Sequence, residues 1–226
     1  VGTKRIRLAQ GGHRTKPQAE YRKYHSTMTE IARPENAFVE NFDSFNEIVT
    51  HTQPNWLNKK RAEALEIYKK NGLPIARRGN EAWKYTDLRS IANTTFANSP
   101  EDLIASIKEK DLLDLSTLNK HWTTLVFING VYSSALSSQN TSDEVVVTNL
   151  VDAIATHGQI LEQHLGEYIS ADNDPFVALN TAFINDGAFI YIPKNIASRR
   201  PIHLIYFSTS EANPIVSHPR TLIVTE

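Results

Sequence analysis

The chain has 226 residues, of which 40% are hydrophobic and 22% charged, with a formal net charge of −1 and no cysteine. That is enough for one good core or two small domains of ordinary globular composition. The missing cysteine excludes disulfides, thiolate nucleophiles and cysteine-ligated zinc or iron–sulfur centres from anything these residues do alone.

The charge is unevenly spread. Residues 1–27 carry seven Lys or Arg against one acid, Glu20, whereas residues 28–226 carry 17 basic and 24 acidic side chains. The first stretch has no helical or strand periodicity and no apolar h-region, so residues 1–27 are expected to be a non-native or disordered basic leader outside the fold. An acidic body argues against nucleic acid as the main partner, because phosphate binding needs a concentrated basic face. No apolar run approaches the roughly 20 residues that cross a bilayer, so no membrane partner is expected.

From Met28 to about residue 120 the chain reads as helical. Ser44 followed by Glu47 is a capping-box signature that predicts a short helix starting there. Asn55 is a good N-cap for a second helix with Leu57, Ala64, Leu65 and Tyr68 on one face, and Gly72 and Pro74 end it. Lys59, Lys60, Arg61, Lys69 and Lys70 decorate this helix as a solvated face. Leu73 to Leu88 reads as a connection pinned onto a core by Trp83 and Tyr85. Ser99 and Pro100 then open a further helix burying Leu103, Ile104 and Ile107.

Near His121 the pattern changes. Thr124 to Ile128, then Asn129-Gly130, then Val131 to Ser133 predicts a tight hairpin, since Asn-Gly supplies the positive φ such turns need. Val145 to Val147 is another strand. Asn149 caps a helix through Leu165 that Gly158 weakens by about 1 kcal/mol, and Asp174-Pro175 opens one more, with Phe176, Leu179 and Phe183 on one face. Three short strands follow at Phe189–Ile192, Ile202–Phe207 and Thr221–Val224, separated by corners at Pro193-Lys194-Asn195, Pro201, Pro214 and Pro219. Such strands suit a sandwich, a barrel or a β-solenoid, and periodicity alone does not choose.

Chemistry is sparse. His157 and His164 stand two helical turns apart, about 10.5 Å of rise, too far to share an ion. His203 and His218 lie on or beside strands that could bring them together. Asp172 and Asp174 begin like a calcium loop, but Pro175 breaks it, leaving Asp174 as an N-cap. Arg199, Arg200 and Arg220 are a candidate anion site or solvated corner residues. No phosphate loop or nucleophile elbow is present, so no catalytic, cofactor-binding or metal-ligating residue is assigned.

Two blocks carry a resemblance. One is Trp56, Arg61, Ala64, Gly72-Leu73-Pro74, Glu81 and Trp83-Lys84-Tyr85-Thr86-Asp87-Leu88. The other is Phe127-Ile128-Asn129-Gly130, Phe176, Leu179-Asn180-Thr181-Ala182-Phe183, Asp186-Gly187, Ile192-Pro193, Pro201-Ile202 and His218-Pro219-Arg220. Together they resemble the SufB/SufD family, SufD type, of the SufBCD iron–sulfur cluster assembly complex. The resemblance implies an α+β fold: an N-terminal helical region, residues 28–120, followed over 121–226 by the first coils of a right-handed parallel β-helix, with helical segments inserted at about 150–184. It implies a cytoplasmic, non-catalytic scaffold that works with a SufB paralogue and the SufC ATPase, and a cluster built transiently by the whole complex rather than bound by this chain. Family members continue well past the equivalent of Glu226, so the chain reads as C-terminally truncated, with the cluster-facing and SufC-docking residues beyond it. The rival expectations are a β-helix enzyme acting on polysaccharide and an interaction module with no metal role.

Overall fold

The computed structural model describes residues 37–76, 78, 80–97, 107–113, 121–138, 144–209 and 214–226. Neither the basic leader nor the Ser99–Pro100 helix start falls among them. The chain divides into two units, residues 1–34 and residues 35–226, and the described residues all belong to the second.

Helix α1, Ala37–Thr50, runs straight through Ser44, so the expected cap there is wrong. Phe38, Phe42, Phe45 and Val49 form an apolar stripe at helical spacing, and burying it outweighs the local preference of Ser44 for a helix start. Helix α2 is Asn55–Asn71, and its N-cap is Pro54 rather than Asn55, with no side-chain capping bond. The Pro54 carbonyl instead accepts from the amides of Leu57 and Asn58. Gly72, at φ 62, ends α2 as expected, its N–H donating to Tyr68. Two short helices follow, α3 (Arg89–Ala92) and α4 (Glu109–Leu113).

Strands β1 (Thr123–Ile128) and β2 (Val131–Tyr132) form the expected hairpin, pairing Ile128 with Val131 around Asn129 at φ 48 and Gly130 at φ 85. Strand β3 (Val146–Asn149) leads into α5 (Leu150–His164), which kinks at His157, one residue before Gly158. A 3-10 turn (Ala171–Asn173) precedes α6 (Pro175–Ala182), whose first amides, of Phe176 and Val177, donate to the Asp174 carboxylate at 2.8 and 3.2 Å. Strands β4 (Ala188–Ile192), β5 (Ile202–Phe207) and β6 (Leu222–Thr225) complete the described elements.

The strands form two three-stranded sheets, β2-β1-β5 and β3-β4-β6. Each has one antiparallel and one parallel pair: β1 runs parallel to β5, and β4 parallel to β6. The chain therefore leaves β4 in the second sheet, passes through β5 in the first, and returns to the second as β6. Strands β5 and β6 are each outermost in their sheets. A groove of about 410 Å³ runs along β5, lined by residues 203–208 and Leu112.

Alternation along β1 divides the core. Leu125 and Phe127 pack with Ala188, Val147 and Leu204 between the sheets, while Val126 and Ile128 pack with Ile205 and Leu112 of α4 on the other face. Every residue of β1 is buried because both faces are covered. The outer face of the second sheet, Phe189, Leu222 and Val224, packs against Leu57 of α2 and Leu150, Leu161 and Leu165 of α5 and its end. A further cluster joins Phe38 and Phe42 of α1, Leu65 and Tyr68 of α2, and Leu179 and Phe183 of α6 and its C-cap.

Candidate functional site

Gly187 sits at φ 153 where the chain enters β4, and a Cβ built there would lie 1.9 Å from the Arg220 carbonyl oxygen. Only glycine fits. Its neighbour Asp186 is 5% exposed, and its carboxylate accepts from the amides of Gly187 at 2.8 Å, Tyr132 at 3.2 Å and Val151 at 3.4 Å. The Asn149 side chain bonds it as well. One carboxylate thus ties β2, the first turn of α5 and the entry to β4. Burial pushes its pKa up, opposed by these donors. The Arg220 amide closes the joint by donating to the Asp186 carbonyl at 3.3 Å.

Helix α6 meets the same place from the other side. Asn180 donates to the Pro219 carbonyl at 3.0 Å, and Arg220 donates through Nη2 to Thr181 Oγ1 at 2.8 Å. The His218 ring stacks on Phe183 at 5.0 Å and meets Phe38 edge-on at 6.5 Å. Burial brings His218 down to about 4 and lowers Arg220. Within the joint, His218 Nε2 and Arg220 Nε are buried without a hydrogen bond. A Cβ at Gly130 would come within 2.9 Å of Ser217 Cβ, which brings the Asn129-Gly130 turn against the same segment. Tyr206 and Thr221 join their hydroxyls at 2.7 Å, and burial raises the Tyr206 phenol.

Four separated sequence blocks, Asn129-Gly130, Asn180 to Phe183, Asp186-Gly187 and His218-Pro219-Arg220, therefore converge. Their side chains are used inside the joint: a carboxylate met by amides, a guanidinium Nη2 on a hydroxyl, and an imidazole packed against two phenyl rings. This set pairs no nucleophile with a base and reads as a packing joint between helices and sheets. Asp186 was legible in the sequence only as a turn residue, because its partners lie up to 54 positions away.

The other candidates stay apart. His203 lies edge-on to Trp122 at 5.6 Å, in surroundings separate from those of His218. His157 bonds Thr156 at 2.8 Å and His164 bonds Tyr168. Asp172 accepts the Ser170 hydroxyl at 3.1 Å, while Asp174 serves as the N-cap already described. Arg199 is exposed on the β4–β5 corner beside the half-buried Arg200, whereas Arg220 is held in the joint, so the three do not build one anion site. Among the described residues no group of three or more His, Cys, Asp or Glu is placed to hold a metal ion.

Arg61 corrects the picture of a solvated basic helix face. It is fully buried, donating to the Ile184 carbonyl at 2.7 Å, Asn58 Oδ1 at 2.8 Å and Gln53 Oε1. Burial brings its pKa down to about 10. These partners bind α2 to the α1–α2 link and to the segment after α6. Trp83 is an anchor as expected, its ring packed at a tilt of 36° against Phe176 at 5.5 Å. Tyr85 is not: it is 89% exposed, because the turn after Trp83 carries the ring away from the core.

Fold and site together define a mixed helix-and-sheet protein whose buried polar side chains join its layers. Residues 32–204 match the family described as SufBD protein N-terminal region, and the chain belongs to that family. It is 31% identical over 181 residues to the iron–sulfur cluster assembly SufBD family protein slr0076 of Synechocystis, covering 79% of this chain and 38% of the relative. It is 30% identical over 190 residues to the iron–sulfur cluster assembly protein SufD of Bacillus subtilis, covering 81% and 41%. A Staphylococcus aureus member of the family shares 23% identity over 217 residues, 90% of this chain and 44% of the relative. The chain spans about two fifths of the length of these relatives.

Proposed function

We propose that the chain is part of a non-catalytic scaffold subunit in iron–sulfur cluster assembly, acting in the cytoplasm with a SufB-type paralogue and a SufC-type ATPase. The observation that carries this reading is the family match over residues 32–204, whose relatives are named as assembly proteins. The interior use of Asp186, His218 and Arg220 is in keeping with it. The chain holds no resident cofactor; the cluster is cargo of the assembled complex.

The sheets support a matching architectural reading. The path from β4 through β5 to β6, with β4 and β6 parallel, is what a solenoid circuit would require, and β5 and β6 lie outermost in their sheets. We therefore take the two sheets as the opening coils of a right-handed parallel β-helix.

The test is assembly of the intact protein with purified SufB-type and SufC-type subunits, followed by gel filtration with light scattering. A stable complex containing all three is expected. Elution of the protein apart from both partners would overturn the reading.

A further inference from the structure

Asparagine followed by glycine readily loses its side-chain amide, because the glycine nitrogen carries no neighbouring side chain to block its approach to the asparagine Cγ. The chain has two such pairs, Asn71-Gly72 and Asn129-Gly130. The structure guards them at opposite ends of the reaction. In Asn71-Gly72 the nitrogen is engaged: at the end of α2 the Gly72 amide donates to the Tyr68 carbonyl at 2.7 Å, while Asn71 Nδ2 donates to the Asp172 carbonyl at 3.1 Å.

In Asn129-Gly130 the nitrogen is open, since among the described residues no acceptor takes the Gly130 amide. The asparagine is held instead. Its Nδ2 donates to Thr209 Oγ1 and its Oδ1 accepts the Thr209 amide, both at 2.9 Å, and its own amide donates to the Phe207 carbonyl at 2.8 Å. Asn129 is buried by this clasp. One residue 80 positions along the chain therefore grips both ends of the carboxamide, and swinging Cγ onto the Gly130 nitrogen breaks both bonds. The tight hairpin needs positive φ at both turn positions, so it retains the labile pair and takes its protection from β5's exit.

We propose that Asn129 is a deamidation site that the Thr209 clasp holds closed. When the clasp opens, the Gly130 nitrogen gives its proton to hydroxide and attacks Asn129 Cγ. The new C–N bond closes a succinimide, and the side-chain amide leaves as ammonia, taking up a proton from water. A second water then adds to one of the two ring carbonyls, and the ring opens to aspartate or isoaspartate. Either product loses the amide that donated to Thr209. Isoaspartate also lengthens the turn by one backbone atom, beside a glycine whose added Cβ would come within 2.9 Å of Ser217 Cβ. The reaction is a slow clock on the β1–β2 turn, and local opening of the clasp sets its rate.

The test incubates the intact protein at mildly alkaline pH and follows amide-to-acid conversion at Asn129 and Asn71 in the same sample by peptide mass spectrometry. Thr209→Val keeps the side-chain shape without the hydroxyl and is expected to speed conversion at Asn129 about fivefold, the worth of one net hydrogen bond. Conversion at Asn71 should not change. Thr209→Ser keeps the hydroxyl and should stay close to the unaltered protein. In urea, where the clasp is gone, all three proteins should convert Asn129 at one common rate, faster than the folded unaltered protein. Equal Asn129 rates in folded Thr209→Val and the unaltered protein would overturn the proposal. So would acceleration of Asn71 by the same factor, which would report general loosening rather than a local clasp, or an Asn129 rate in the folded unaltered protein equal to that in urea.

Discussion

Gly187 and Arg220 meet backbone to backbone, with no flexible side chain to give way, and a methyl group at position 187 would sit inside the Arg220 carbonyl. Gly187→Ala is expected to cost about 3 kcal/mol or more in urea unfolding, at the upper end of overpacking penalties. Arg61→Met should cost about 3 kcal/mol, because it removes one guanidinium and leaves the Ile184 carbonyl, Asn58 and Gln53 without their donor. A loss under about 1 kcal/mol would contradict that role. His218 gives the joint a pH dependence of definite sign. Its folded pKa of about 4 lies below the ordinary 6.5, so between these values the unfolded chain binds more protons. Stability contributed by the neutral ring is full above about pH 6.5 and falls as pH drops toward 4, by about 3 kcal/mol at the limit. Asp186, raised by burial, works in the opposite direction at low pH. The test is therefore a difference: His218→Phe keeps the stack on Phe183, and its stability should fall less than that of the unaltered protein from pH 7 to 5. Parallel curves for the two would refute the assignment.

At the scale of elements, success and failure of sequence reading divide by the range of the forces involved. The Asn129-Gly130 hairpin, the Asp174 cap and the Gly72 stop rest on backbone preferences within a few residues, and all were legible. Asp174→Ala should accordingly cost about 1 kcal/mol, with Asp174→Asn nearly neutral, in chemical denaturation. Ser44 misled because Phe38, Phe42 and Phe45 are satisfied by tertiary packing, on α2, α6 and segments such as Phe96, which no local signature expresses. Arg61 misled because a cation at a helical position reads as solvated until Ile184, 123 residues away, supplies a carbonyl. The joint was visible as its separate motifs, Asp186-Gly187 and His218-Pro219-Arg220, but not as a meeting place. Tyr85 was misread because aromatic character is compatible with both an anchor and an exposed ring, and only the direction of the turn decides.

At the scale of the whole molecule, each sheet of the described residues has an antiparallel strand, β2 or β3, outermost on one side and a parallel strand, β5 or β6, outermost on the other. Outermost strands with exposed Tyr206 and Ile223 are templates for further pairing. Residues 28–226 produced alone should self-associate, and Ile223→Lys should reduce this in sedimentation velocity; a monomer that unfolds cooperatively would argue against the open-edge account. The functional account makes a different demand: the chain contributes architecture while the cluster forms on the complex. The most direct measurement is anaerobic reconstitution with iron and sulfide, followed by the visible absorption of the cluster. The account predicts cluster absorbance on the complex of the intact protein with its SufB-type and SufC-type partners, and its loss when this subunit is omitted. Equal cluster formation with and without the subunit would contradict it.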